Sequence, residues 1–173
     1  MRNYISSILV LLCIFCHQNI WAQSANNSKI TTFILVRHAE KADHTPNTEL
    51  SENGKKRAQA LARLLSNVKI DAIYTTPLKR TQQTAQMVAE ENNLKINSYD
   101  VDATFSLLTD HLTNKYKGKT ILLVGHSNTL PVNIERLTQH NIEIPETEFD
   151  NVYIIQVNGN DHSVNMLQLK YGE

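Results

Sequence analysis

Two short apolar runs that each lead to a histidine constrain the fold of this chain more than any other feature. Residues 33–36 are followed by Arg37 and His38, and residues 121–124 are followed by Gly125 and His126. Four consecutive apolar residues between polar ones are typical of strands buried on both faces. In open α/β sheets, ligands bind at the carboxyl edge of such strands. We therefore predict two parallel strands that bring both histidines to one edge, a pattern that indicates an enzyme.

Helix and strand patterns alternate along the rest of the chain. Each of four predicted helices begins at a polar capping residue or at a proline; their starts are Ser51, Thr76-Pro77, Asp102, and Asn128 or Thr129. The second of these helices runs to about Glu91 and carries Arg80 in its first turn. Further strands are predicted at 69–75, 96–99, 152–157 and 164–169, with the last two joined as an antiparallel hairpin. This alternation predicts an α/β fold with a mostly parallel central sheet.

The N-terminal 22 residues have the pattern of a secretory signal peptide. Arg2 precedes an apolar run at residues 5–15, and Ala22 is a small residue suited to cleavage before Gln23. The apolar run is shorter than the roughly 20 residues of a membrane span. We therefore predict a periplasmic or secreted protein with no stable membrane span after cleavage; an uncleaved anchor is the alternative.

The expected mature chain consists of a flexible lead-in at 23–30 and one domain at 31–173. Arg2 is the only charged residue of the signal, so 16 basic and 17 acidic residues remain. This balance does not favour binding to nucleic acid or to an acidic membrane. Both cysteines, Cys13 and Cys16, lie in the signal, which excludes disulfides and thiol catalysis in the mature chain.

Two arginines and two histidines are expected at the same edge of the sheet, namely Arg37, His38, Arg80 and His126. The planar guanidinium group matches phosphate oxygens in a bidentate manner. The helix that begins near residue 128 adds free backbone N–H groups and the positive end of its dipole beside His126. A histidine in such surroundings can attack phosphorus and form a covalent intermediate. The set therefore predicts a phosphate-binding, phosphoryl-transferring site.

The motifs that carry these residues resemble the histidine phosphatase (phosphoglycerate mutase-like) superfamily. They are Arg37-His38-Ala39-Glu40, Leu50-Ser51-x-x-Gly54, Thr76-Pro77-Leu78-Lys79-Arg80-Thr81-x-x-Thr84-Ala85 and Gly125-His126-Ser127. The resemblance implies a three-layer α/β/α fold, with His38 as the phosphorylated nucleophile and Arg37, Arg80 and His126 as phosphoryl ligands. Glu40 and Ser127 are further candidates for substrate binding. The resemblance implies neither a metal nor an organic cofactor.

The chain departs from the family pattern at several positions. Ala39 replaces the usual glycine and adds a methyl group near the pocket, and His44 stands where the family often has asparagine. The segment between Arg80 and His126 is short, as in the small phosphatases, whereas the mutases carry a longer insertion with a glutamate. Our candidate proton donor is Asp100. Asp102 is the alternative, but it is readily explained as a helix cap. Some small members that act on phosphohistidine need no donor, because that leaving group is already good.

These observations predict an exported, cofactor-independent phosphomonoester hydrolase that acts on a small phosphorylated substrate. Three alternatives stay open: a catalytically idle phosphate-binding module of the same fold, a phosphomutase, and a metal-dependent phosphoesterase. Export argues against a mutase of cytoplasmic sugar phosphates. A metal site at His38, Glu40, Asp43 and His44 is disfavoured because two neighbouring arginines repel a cation. The leaving group and the oligomeric state are open at this point.

Overall fold

The computed structural model of the protein describes residues 29–101 and 108–172. The predicted signal peptide and Asp102 lie outside this part of the chain. Six strands are present in it: β1 (Ile30–Arg37), β2 (Ala72–Thr75), β3 (Ile96–Ser98), β4 (Thr120–Gly125), β5 (Asn151–Asn158) and β6 (Val164–Lys170). The helices are α1 (Glu52–Leu65), α2 (Lys79–Glu91), α3 (Leu108–Lys115) and α4 (Leu130–Thr138). Among these helices, none has the length and apolar character needed to cross a membrane.

All six strands form one sheet in the order β3-β2-β4-β1-β5-β6. Strands β1 to β4 run parallel, and β5 joins β1 in the antiparallel direction and forms a hairpin with β6. In the β1–β4 pair, Arg37 is aligned with Gly125. His38 and His126 therefore leave neighbouring parallel strands at the same edge, as the sequence predicted.

The helices cover both faces of the sheet. Side chains of β1 alternate, because successive residues of a strand point to opposite faces. Phe33 and Leu35 pack in the core that contains α3 and α4, whereas Ile34 and Val36 pack in the core that contains α1 and α2. These two cores confirm the predicted three-layer α/β/α architecture.

Helix α1 begins where the sequence predicted. The hydroxyl of Ser51 accepts a hydrogen bond from the backbone N–H of Gly54 at 3.0 Å and caps the helix. A Cβ atom on Gly54 would lie 2.2 Å from the carbonyl oxygen of Glu40. Glycine at this position therefore allows α1 to approach the segment that follows His38.

The predicted start of helix α2 at Thr76-Pro77 is wrong. The helix begins at Lys79, with Leu78 as its N-cap residue, and Arg80 still lies in the first turn. Thr76 is instead part of the loop that leads from β2 to the helix, and its hydroxyl contacts His126 and Thr81. A threonine followed by proline is a common start of a helix. Only the tertiary contact with His126 shows that Thr76 has a different role.

Helix α4 begins close to the end of β4, as predicted. Thr129 is the N-cap residue, but its hydroxyl accepts a hydrogen bond from the backbone N–H of His126 at 2.9 Å rather than from the helix. A Cβ atom on Gly125 would lie 2.9 Å from Cδ2 of Leu130. The glycine before His126 thus permits the close packing of α4 against the strand end.

Candidate active site

His38 lies buried at the end of β1, with 3% of its surface exposed. Its backbone N–H donates to the carbonyl of Gly125 at 2.9 Å, which fixes it beside the end of β4. Its Nδ1 atom lies 2.8 Å from the carbonyl oxygen of Ala39. Because a carbonyl oxygen can only accept, Nδ1 carries the proton and Nε2 retains its lone pair. This tautomer makes Nε2 a nucleophile.

His126 lies next to His38, with ring centroids 5.2 Å apart and an angle of 62° between the ring planes. Its Nε2 atom is 2.9 Å from the Thr76 hydroxyl, which is itself 3.0 Å from the hydroxyl of Thr81. Both threonines are buried. The orientation of the second imidazole is thus fixed by a chain of two hydroxyl groups that the sequence analysis missed.

Arg37 is held by the loop between α4 and β5. Its Nη1 donates to the carbonyl oxygens of Pro145 at 2.9 Å and of Glu148 at 3.1 Å, and its Cζ lies 4.1 Å from the ring centroid of Phe149. Its Nη2 pairs with the carboxylate of Glu146 at 2.6 Å. The Nε atom is buried and meets no acceptor among the described residues. The edge formed by Nε and Nη2 is therefore incompletely satisfied.

Arg80 has a similar arrangement. Its Nη1 donates to the carbonyl oxygen of Pro46 at 2.7 Å, and its Nε atom is buried without an acceptor in the described part of the chain. Buried N–H groups are rarely left without a partner in native proteins. Two guanidinium groups anchored through Nη1, each with an unpaired Nε, fit a ligand whose oxygen atoms accept hydrogen bonds, such as a phosphoryl group.

Burial keeps both imidazoles uncharged near neutral pH. It lowers the pKa of His38 to about 3, against a smaller raising effect of the hydrogen bond to Ala39, and the nearby His126 and arginines lower it further. The pKa of His126 is lowered to about 4, first by burial and then by Arg80 and Arg37. The nucleophilic form of His38 is consequently the dominant one at pH 7.

Acid should destabilise the protein through His38. Its pKa is about 3 in the folded state and 6.5 in an unfolded chain, so between these values only the unfolded chain binds the proton, and the free energy of unfolding falls as the pH drops. We expect His38 to contribute a loss of about 2 kcal/mol between pH 7.5 and pH 5. Urea unfolding at both pH values should show a smaller loss for His38→Gln. His44→Gln, in an exposed loop, should behave like the wild type, and an undiminished loss in His38→Gln would contradict a neutral His38.

The methyl group of Ala39, predicted to lie near the pocket, packs in the protein interior directly after His38. The residue is fully buried in a small apolar cluster with Leu50 and Ala58. Its backbone N–H donates to the hydroxyl of Thr84 at 2.9 Å, and that hydroxyl donates to the carbonyl of Arg80 at 2.7 Å. Thr84 thus links the segment after His38 to the helix turn that carries Arg80.

The remaining predicted site residues have different surroundings. Oε1 of Glu40 accepts hydrogen bonds from Arg57 on α1 at 2.7 and 2.8 Å, so this carboxylate connects the loop to a helix. Ser127 donates its hydroxyl proton to Glu146. Asp100 is exposed and follows the end of β3 by two residues. The roles predicted for these three residues stay predictions.

Glu146 is the charged residue of the site that the sequence analysis missed. One of its oxygens pairs with Arg37, and the other accepts from Ser127. These contacts hold the pKa of Glu146 below its usual range, with the Ser127 hydrogen bond as the largest favourable cause. It lies in an irregular loop without a recognisable motif, so no pattern in the sequence identifies it.

Comparisons with known proteins agree with this geometry. A family model described as the histidine phosphatase superfamily (branch 1) matches residues 33–101. A curated relative, phosphoserine phosphatase 1 of Hydrogenobacter thermophilus, is 45% identical over 75 residues, which cover 39% of this chain and 35% of the relative. The chain thus matches about a third of the length of that relative.

Solved structures share the fold. The mycobacterial glucosyl-3-phosphoglycerate phosphatase aligns with a TM-score of 0.62 at 15% identity, over 82% of this chain and 98% of that one. Phosphoserine phosphatase from Entamoeba histolytica, in complex with 3-phosphoglyceric acid, aligns with a TM-score of 0.60 at 18% identity, over 83% and 97%. The family model thus confirms, over residues 33–101, the resemblance to the histidine phosphatase superfamily, and these two solved structures, both below 25% identity, show a shared fold.

Proposed function

We propose that this protein hydrolyses phosphomonoesters through a phosphohistidine formed on His38, without a metal or an organic cofactor. One observation carries the proposal: a buried imidazole, protonated on Nδ1, lies next to a second imidazole, and two arginines with unpaired Nε atoms are close enough for their charges to lower its pKa. A nucleophile and preorganised donors for phosphoryl oxygens are the two requirements of this chemistry.

The first step forms the covalent intermediate. The lone pair on Nε2 of His38 attacks phosphorus, the N–P bond forms, and the bond from phosphorus to the ester oxygen breaks. Charge on the equatorial oxygens is stabilised by Arg37 and Arg80, which need no reorganisation because their Nη1 atoms are already anchored to backbone carbonyls. The departing oxygen takes a proton and leaves as an alcohol.

The second step returns the protein to its starting state. A water molecule attacks phosphorus and passes a proton to the group that protonated the alcohol, the N–P bond breaks, and inorganic phosphate is released with the neutral imidazole restored. The hydrogen bond from Nδ1 to the Ala39 carbonyl keeps the same nitrogen protonated throughout the cycle. His126, oriented by Thr76, supplies a further polar contact to the phosphoryl oxygens.

Asp100 is our candidate for the acid that protonates the leaving alcohol. It follows β3, whose carboxyl end lies at the same sheet edge as those of β1 and β4. Asp100→Asn should slow alkyl phosphates about 10²-fold or more and aryl phosphates much less, because a good leaving group needs little protonation. Steady-state rates on both ester classes measure this difference. Equal slowing of both classes would remove Asp100 from the role of acid.

Trapping the intermediate tests the proposal. Rapid mixing with p-nitrophenyl phosphate in the presence of a chelator should give a burst of nitrophenol, and mass spectrometry after alkaline quenching should find the phosphoryl group on His38. Phosphate binding with neither burst nor turnover would indicate an idle binding module. Activity abolished by the chelator would indicate a metal-dependent phosphoesterase. Conversion of one phosphate ester into its isomer, without release of phosphate, would indicate a mutase.

The preferred substrate can be identified by testing a panel of phosphate esters, which should include phosphoserine and 3-phosphoglycerate. The first is suggested by the name of the curated relative, and the second is the ligand named for the Entamoeba histolytica structure. Both carry a phosphoryl group on a small alcohol, which agrees with the small phosphorylated substrate expected here. Relative kcat/KM values across this panel would identify the leaving group that the protein prefers.

Export is a separate part of the proposal. It is supported by Arg2, by the apolar residues 5–15 and by the small Ala22 before the expected cleavage position. Intact mass measurement of protein recovered from a periplasmic fraction should give a chain that begins at Gln23. A full-length chain retained in the membrane fraction would indicate an uncleaved anchor, and a full-length chain in the cytoplasm would contradict export.

A further inference from the structure

The carboxylate of Glu146 lies between Arg37 and Ser127, at the proposed phosphoryl site. Its Oε2 lies 2.6 Å from Nη2 of Arg37, and its Oε1 accepts from the hydroxyl of Ser127, the residue after His126. Arg37 is buried, whereas the Glu146 side chain is 78% exposed. A negatively charged group of the chain itself therefore reaches from the surface to one of the two proposed phosphoryl-binding arginines.

The carboxylate of Glu146 accepts from Nη2 of Arg37, a donor that a bound phosphoryl group would also need. Nη2 and the unpaired Nε form one edge of the guanidinium group, and bidentate binding of a phosphoryl group takes both atoms. A dianion placed there would meet the negative charge of Glu146 on the neighbouring nitrogen. Like charges at such distances repel, and the repulsion is stronger in a partly desolvated site.

Arg37 does not depend on Glu146 for its position. The carbonyl oxygens of Pro145 and Glu148 hold Nη1, and the ring of Phe149 packs against the guanidinium plane. Glu146 can therefore leave toward solvent while Arg37 keeps its orientation. Only Arg37 is buried in this pair, and the exposed carboxylate of Glu146 is hydrated once it leaves, so an incoming phosphoryl dianion can displace it.

We infer that Glu146 is a built-in competitor for the phosphoryl site, which leaves Arg37 when a phosphate ester binds and returns when inorganic phosphate departs. The inference rests on the phosphoryl site of the proposed function. It assigns to Glu146 an effect on affinity: the carboxylate weakens the binding of inorganic phosphate and thereby favours release of the product.

Calorimetric titration of the whole mature chain with inorganic phosphate tests the inference. Glu146→Gln keeps a hydrogen-bonding side chain of the same size but removes the charge, and it should bind phosphate about fivefold to tenfold more tightly than the wild type. Glu146→Ala should also bind more tightly. Glu143→Gln, in the same loop and exposed, is the matched control for the loss of one negative charge and should bind like the wild type.

Several results would overturn the inference. Unchanged or weaker phosphate binding in Glu146→Gln would show that the carboxylate supports the site rather than competes for it. Equal tightening in Glu143→Gln would show a general effect of net charge. A crystal structure with phosphate on Arg37, in which Glu146 keeps both of its contacts, would also exclude displacement. If the wild type hydrolyses no ester but Glu146→Gln tightens phosphate binding as expected, the proposed hydrolysis fails and the competition stands.

Discussion

Replacing His38 with alanine should lower kcat on any phosphate ester by a factor on the order of 10⁴ or more, the size of loss seen when a covalent nucleophile is removed. Alanine has no lone pair at the position of Nε2. A water molecule in that space is not held in place, whereas the imidazole is oriented by the hydrogen bond from its Nδ1 to the Ala39 carbonyl. Steady-state rates of phosphate release, measured with and without a chelator, give the result.

Two measurements make this expectation specific to the covalent step. His44→Ala changes an exposed histidine only six residues away and should retain wild-type kcat. His38→Ala should still bind inorganic phosphate, because Arg37 and Arg80 are anchored by backbone carbonyls rather than by the imidazole. Residual activity above a hundredth of the wild-type rate would contradict His38 as the nucleophile.

Replacing Arg80 with alanine should lower kcat/KM by about 10²-fold to 10³-fold, the usual effect of removing one preorganised donor from a charged transition state. The guanidinium group has its Nη1 on Pro46 and an unpaired, buried Nε, so its interaction with a phosphoryl group is available without rearrangement. The loss should appear in kcat as well as in KM, because charge on the transferring oxygens is greatest in the transition state.

Arg80→Lys separates charge from geometry. Lysine retains the positive charge but not the planar pair of donors, so it should recover only part of the lost activity. Arg63→Ala, an exposed arginine on α1, controls for the loss of positive charge and should leave kcat/KM unchanged. Less than a threefold loss in Arg80→Ala would indicate that the guanidinium group does not contact the reacting phosphoryl group.

Repeating local patterns made much of this fold predictable. The apolar runs that became β1 and β4 identified a buried parallel pair, and the Ser51 cap identified the start of α1. Both signals are contained in a few consecutive residues, because strand burial and helix capping depend mainly on neighbours in sequence. The wrong prediction at Thr76 has the same cause. The residues next to it in sequence fit a helix start, but its partner, His126, lies 50 residues away.

The sequence alone determined which residues are chemically suited to phosphoryl transfer and which strands deliver the two histidines. The tertiary structure decided their surroundings: the pairing of Glu40 with Arg57, the burial of the Ala39 methyl group, and the contact between Arg37 and Glu146 across 109 positions. A residue type fixes the hydrogen bonds that a side chain can make, whereas the partner it meets depends on how distant segments pack. For that reason a motif could predict the position of His38 at the sheet edge, and no motif could predict the carboxylate beside it.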